Sequence, residues 1–468
     1  MKKLEMHTIR LKNIRVVIGA LLSVVLILDL PLASWADDLI NKGARLDLNR
    51  CIEIALKIQP DILAARNTVR LNESRIGQAK ANYYPQINLA SGYSRSDPPQ
   101  ANRSSVYIIE TPYNNYSGDL NTTSLPIRVT APSTAPYNNY SSYLNLTQNI
   151  YDFGKTADQV KIQSLYRDSS RQDLGNVTSQ TVFYVKQAYF SLLQVIKNWE
   201  VAVETVKQFQ QHLDQAKGFF EVGTKPKFDV TKAEVDLSNA KLNLLTAENN
   251  VKIARVNLNN AMGLPEAPDY TIEDNLAYQP YEISFEEALK RAYAERPDLL
   301  SILLKRESQL KAVDLAKTGY YPYLTGTANY GFESRDFPLD RGWTVGAQLT
   351  FPIFSGHSTR YQVEEARASL DVLKANEEAL RQSIYLDVKQ SYLNLQVAKD
   401  QISTAELTVR QAHENLDLAN GRYAAGVGNP IEVTDAAVAQ ANAKTAYIAA
   451  LYNYKIAKAS MEKAMGAK

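Results

Sequence analysis

The stretch AKANYYPQI at residues 79–87 returns as AKTGYYPYL at residues 316–324. Proline cannot continue a helix, and it pushes the residue before it into extended backbone. Tyr84-Pro85 and Tyr321-Pro322 therefore read as two junctions where a helix stops and a strand begins.

The repeat extends in both directions. An offset of 237 positions carries Pro60-Asp61 onto Pro297-Asp298 and Ala55 onto Ala292. Downstream the offset is 203. VKQAY from Val185 matches VKQSY from Val388, FFEVGTKPKFDVT from Phe219 matches RYAAGVGNPIEVT from Arg422, and NNAMG ending at Gly263 matches EKAMG ending at Gly466. The chain is thus a tandem duplication whose first copy carries an insertion of about 34 residues between Pro85 and Ile150. The copies are placed at 37–264 and 283–468, with a linker at 265–282.

Ahead of them, Lys2, Lys3, Arg10, Lys12 and Arg15 precede an apolar run from Val16 to Leu28 and then PLASWA, the layout of a secretory signal peptide over 1–36. The run is too short for a spanning helix, which needs about 20 residues. Without it the formal charge of +2 becomes about −1, which excludes a nucleic-acid partner by electrostatics. One cysteine and four unclustered histidines provide neither a disulfide nor a metal site. Cys51 follows Leu48 and precedes Ile52 and Ala55 in a helical pattern, as a small buried residue does.

Residues 96–141 are rich in Ser, Asn, Tyr, Pro and Thr, and contain PYNNYS twice; such a segment reads as an exposed loop. Strands are expected at about 85–95, 142–151, 322–333 and 343–353, near the length of a membrane-spanning strand. Ile87, Leu89 and Tyr93 share a side, as do Leu144, Leu146 and Ile150, and Leu324, Ala328, Tyr330 and Phe332. Val345, Ala347, Leu349, Phe351 and Ile353 alternate with Thr344, Gly346, Gln348 and Thr350; Val345, Leu349 and Phe351 are expected to meet lipid and Thr344, Gln348 and Thr350 to line a pore.

The rest is helix. Val182, Val185, Tyr189, Leu192, Ile196, Trp199, Val203 and Val206 step by three and four, and Leu395, Ala398, Ile402, Ala405, Val409, Ala412, Leu416 and Ala419 do likewise, as coiled-coil seams. A long helix from about 155 to 217 is accompanied by shorter ones at 61–82 and 227–262, and this set recurs at 358–420, 298–319 and 431–465. Four strands cannot close a barrel, and lipid does not tolerate an open sheet edge, so closure requires further copies of the chain.

Signal peptide, duplicated halves, the two YYP junctions, the VG…FDV and AG…IEV turns, and AMG closing each half resemble the TolC-like outer-membrane efflux protein family over essentially the whole mature chain. The resemblance implies an α+β membrane protein. It implies a homotrimer whose 12-stranded β-barrel, four strands per chain, sits in outer-membrane lipid and continues into a coiled-coil helical tunnel in the periplasm. It also implies a passive exit duct of a tripartite efflux or type I secretion system, fed by an inner-membrane pump of RND, ABC or MFS type through a periplasmic adaptor (membrane fusion protein). No cofactor and no enzymatic activity are implied.

The family's periplasmic aperture maps onto Asp229, Tyr423, Glu432 and Asp435, and its turns onto Gly223, Gly426 and Gly428. Gly428 stands where some relatives place an arginine that ties the second turn to a neighbour's acid. Two other functions compete. A periplasmic coiled-coil adaptor or scaffold would also use long helical hairpins but must bury the apolar face of 345–353 internally. A surface hydrolase requires a catalytic constellation, and the sequence offers no phosphate-cradling loop, nucleophile elbow or zinc pair.

Overall fold

The computed structural model describes residues 40–41, 43–97 and 136–467. The leader at 1–36 and most of the long loop lie outside the described residues. In chain order the elements are β1 (Arg45–Leu46), α1 (Leu48–Ile58), α2 (Pro60–Lys80), β2 (Gln86–Ser96), β3 (Tyr137–Tyr151), α3 (Lys155–Glu221) and α4 (Lys227–Met262). There follow β4 (Thr271–Ile272), α5 (Phe285–Glu295), α6 (Pro297–Lys317), β5 (Tyr323–Ser334), β6 (Asp340–Thr350), α7 (Ser358–Ala424) and α8 (Pro430–Ala464). The duplication is visible in the caps: Asp47 accepts the Arg50 amide at the start of α1, and Ser284, its counterpart at the offset of 237, accepts the Glu287 amide at the start of α5.

The chain forms two compact units. The first comprises residues up to 59, 184–278 and 405–452. In it β1 pairs in parallel with β4, and α1 packs on α4 through Cys51, Ile54 and Ala55. Burial pushes the Cys51 thiol up to about 12, so it stays a neutral core residue. Residues 265–282, read from sequence as a linker, are built into this unit for most of their length. Tyr270 donates to Asn259 Oδ1 at 2.6 Å, and Tyr189 on α3 donates to the Glu273 carbonyl at 2.7 Å. A separate core gathers Phe209, Leu213 and Ala216 of α3, Ala233, Leu237 and Ala240 of α4, Leu416 and Ala419 of α7, and Val433, Ala436 and Ala437 of α8. The frequent alanines let the four backbones approach closely.

The α3 seam departs from the expected line. Val185, Tyr189 and Leu192 are buried, but Trp199 and Val203 are exposed, while Val201 takes the inner position and Phe209, Leu213 and Ala216 continue the core. A helix with 3.6 residues per turn drifts out of a 3.5-residue repeat over several turns, which moves the buried stripe around the helix.

The second unit comprises 60–183, 279–404 and residues from 453 onward. It contains an antiparallel four-stranded sheet in the order β2-β3-β5-β6. Registers carry one row straight across it: Leu89 opposite Leu144, Leu144 opposite Tyr330, Tyr330 opposite Trp343. The adjacent row, on the other face, is Asn88, Asn145, Asn329 and Thr344. The sheet thus has one apolar and one polar face.

Two strands differ from their expected bounds. β3 begins at Tyr137, so residues 137–141 belong to the sheet and not to the loop; 137–139 pair with β2 alone, and from Tyr140, opposite both Tyr93 and Ser334, the strand lies between β2 and β5. β6 begins earlier, at Asp340 opposite Glu333, and ends at Thr350. Phe351 and Ile353 fall outside it because Pro352 has no amide proton to donate to a ladder.

Candidate gate at the paired helical turns

The connections α3–α4 and α7–α8 both close in the first unit with the same chemistry. Gly223 and Gly426 take left-handed φ of 76° and 79°, a conformation that costs glycine little. Around Gly223 the amides of Gly223 and Thr224 donate to Phe220 and Phe219 carbonyls, both at 2.9 Å. Around Gly426 the amides of Gly426 and Val427 donate to Tyr423 and Arg422 carbonyls, both at 3.1 Å. This pair of bonds satisfies the last carbonyls of each long helix.

Gly428 has a different role. A Cβ there would lie 2.7 Å from the Tyr423 amide nitrogen and 2.9 Å from the Arg422 carbonyl carbon, so the backbone leaves no room for a side chain. Its amide donates to the Arg422 carbonyl at 2.9 Å, and its own carbonyl accepts from Lys225 Nζ at 3.4 Å, which joins the two turns. Gly428 thus carries no side chain where the resemblance places an arginine in some relatives, and next to the turn Arg422 Nε lies 3.2 Å from Glu432 Oε2. An exposed pair of this kind contributes about 0 to 1 kcal/mol.

The structure divides the expected aperture residues. Glu432 and Asp435 are exposed on α8. Tyr423 is 0% exposed and part of the core, with its ring 5.0 Å from His212, 5.7 Å from Phe219 and 5.4 Å from Lys225 Nζ. Its hydroxyl has no hydrogen-bond partner. Burial, and then the negative charge of Asp229, raise its pKa above the ordinary phenol value. Asp229, in the first turn of α4, is 5% exposed. It is brought to the inner side, with Tyr423 and His212, and not to the side of Glu432 and Asp435.

Sequence reasoning missed His212, which lies between Phe209 and Ala216 on the buried stripe of α3 and is itself buried. It also missed the exposed apolar residues of the turns, Val222, Phe228 and Val427. Val222 and Val427 flank the turn glycines, a signal that was present in the sequence.

In the second unit both tyrosine-proline junctions follow one pattern. A short 3-10 turn, Ala81–Tyr83 or Thr318–Tyr320, leads to Tyr84 or Tyr321 in extended backbone, and the strand starts one residue past Pro85 or Pro322. Tyr84 and Tyr321 are exposed. The return passages are equally duplicated. Phe153 and Gly154 both have positive φ, as do Gly356 and His357 at the offset of 203. Asp152 accepts the Thr156 amide at 2.9 Å to start α3, and Ser355 accepts the Thr359 amide at 3.5 Å to start α7. On the polar face of the sheet, Tyr143 and Asn139 both donate to Glu333.

The sequence model of the family described as outer membrane efflux protein matches residues 51–264 and 288–467. The chain is 25% identical to the outer membrane protein TolC of Escherichia coli K12 over 350 residues, covering 69% of this chain and 68% of the relative. It is 21% identical to the outer membrane protein TolC of Vibrio cholerae over 394 residues, 82% of each. Among solved structures, the Campylobacter jejuni CmeC outer membrane channel superposes with a TM-score of 0.70 at 20% identity, over 90% of this chain and 85% of that one. With one family matched over both halves of the duplication, the chain belongs to the outer membrane efflux protein family.

Proposed function

We propose that the protein is the outer-membrane exit duct of an efflux or secretion system, passively conducting substrates that a periplasmic adaptor and an inner-membrane pump deliver. The observation that carries this reading is the four-stranded sheet. One of its faces is apolar across all strands, and β2 and β6 have no partner on their outer edges among the described residues. Hydrocarbon offers no hydrogen bonds to such edges. Three copies would close them into 12 strands around a polar lumen, wide enough for water. On this reading Asn88, Asn145, Asn329, Thr344 and Gln348 line the pore, and Leu89, Leu144, Val345 and Leu349 meet lipid.

The paired turns then form the periplasmic constriction. Glu432 and Asp435, repeated by threefold symmetry, surround the mouth with negative charge, and Asp229 supports it from within. The exposed Val222, Phe228 and Val427 offer an apolar surface to the adaptor. The chain itself performs no chemistry in this account, and its energy comes from the pump. Purified full-length protein should run as a heat-modifiable trimer and conduct ions in planar bilayers. A monomer that stays in aqueous solution without detergent would support the periplasmic adaptor instead.

A further inference from the structure

We propose that His212 is an acid-sensitive latch: neutral, it lets α3, α4 and α7 pack around Tyr423, and protonated, it loosens the paired turns. The proposal rests on the duct reading, in which these turns constrict the pore. His212 is 6% exposed and its Nδ1 has no hydrogen-bond partner, so the ring carries a buried polar atom that the fold leaves unsatisfied. Its ring centroid lies 5.0 Å from that of Tyr423, whose hydroxyl is unsatisfied too. Two such groups in contact reduce what this part of the core gains from staying packed.

The charged groups facing His212 pull in both directions. On α4, Asp236 is already held by Lys232 Nζ at 2.6 and 2.7 Å and by Thr434 of α8 at 2.8 Å. Asp236 and, less strongly, Asp229 attract a proton onto His212, and Lys232 repels it. From α7 come the Tyr423 ring and, farther along, His413, whose Nδ1 is engaged by Gln440 of α8 at 2.9 Å. Lys225 of the first turn lies over the Tyr423 ring. On α8, Val433 and Ala437 border His212, while Glu432 and Asp435 are exposed. Burial outweighs the two acids and holds the imidazole below its ordinary value. A groove of about 170 Å³ lined by Gln208, Gln211, Gln215 and Asn420 reaches the ring and gives protons a route.

The sign follows from linkage. A histidine whose pKa is lowered in the packed state supports packing above its free value, about 6.5, and withdraws that support as pH falls below it. Each unit of difference between packed and loosened states makes acid favour the loosened state by up to about tenfold.

The test is hydrogen exchange by mass spectrometry on the full-length trimer in detergent, at about pH 7.5 and about pH 5.5, corrected for intrinsic rates. Residues 205–240 and 416–437 should exchange several-fold faster in acid while 370–400 stay unchanged, and His212→Gln should abolish the difference. Equal protection at both pH values in the wild type, slower exchange in acid, or an undiminished acid response in His212→Gln would each overturn the latch. Should His212→Gln fail to assemble, the wild-type series decides alone. Bilayer recording separates the two readings. Current that ignores periplasmic pH refutes the latch and leaves the duct standing, whereas no current at any pH refutes the duct and the latch with it.

Discussion

The Cβ position of Gly428 lies 2.7 Å from the backbone nitrogen of Tyr423, closer than any real side chain can sit. Gly428→Ala should therefore displace the second turn and cost about 1 to 3 kcal/mol, as overpacking does. Gly421, seven residues earlier on the exposed side of α7, has nothing within 4 Å of its Cβ position. Gly421→Ala should be stabilising by about 0.5 to 1 kcal/mol through helix propensity. Thermal unfolding of the two variants measures the contrast, and equal midpoints would remove the steric argument.

Tyr423 permits a second comparison. Its hydroxyl is buried without a partner, so Tyr423→Phe removes an unsatisfied group and should be neutral or stabilising. Tyr423→Ala leaves a ring-sized void among His212, Phe219 and the alanines of α4 and α8, at a cost of about 3 to 5 kcal/mol. If Tyr423→Phe instead raises basal conductance as much as Tyr423→Ala does, the hydroxyl has a gating contact that packing alone does not supply.

These two residues also mark what the sequence could not reveal. Pro85, Pro322 and the alternation of Val345, Ala347 and Leu349 are local signals, and the helix-to-strand junctions and most of β6 follow from them. The first residues of β3 carry no such signal. Tyr137 to Ser141 are composed like a loop, and only ladder pairing holds them extended, to β2 throughout and to β5 from Tyr140 on. Tyr423 reads by resemblance as a gate tyrosine, yet whether it faces a pore or a core depends on how α3, α4 and α7 pack. The same is true of Gly428, whose necessity comes from a neighbour five residues back in a turn, a distance that spacing does not encode.

The faces of β6 predict opposite outcomes for adjacent residues. Leu349 pairs with Leu324 on the apolar face and Gln348 with Thr325 on the polar one. An arginine facing mid-bilayer costs about 2 to 4 kcal/mol, whereas one in a water-filled lumen stays hydrated. Leu349→Arg should reduce the yield of heat-modifiable trimer, and Gln348→Arg should assemble normally. Equal yields from both would reverse or erase the assignment of faces.

The acids of the turns separate by burial, and so should their effects. Glu432 and Asp435 are exposed at the start of α8, while Asp229 is buried beside Tyr423. Asp229 and Glu432, in the first turns of their helices, already have a structural reason to be there, since they complement the helix dipole by about 0.3 to 1 kcal/mol. Selectivity asks for more: a charge must face the permeating ion, and threefold repetition must concentrate the field at a narrow mouth. Glu432→Gln with Asp435→Asn should therefore weaken cation preference, read as a shift of reversal potential toward zero across a salt gradient, with the trimer intact. Asp229→Asn should leave the reversal potential nearly unchanged and act on the stability of the packed turns, seen as altered hydrogen exchange at 416–437. An unchanged reversal potential in the double variant would reduce Glu432 and Asp435 to helix-start residues. A large shift from Asp229→Asn alone would mean that the turns open enough in the conducting state to bring the buried carboxylate into the pore.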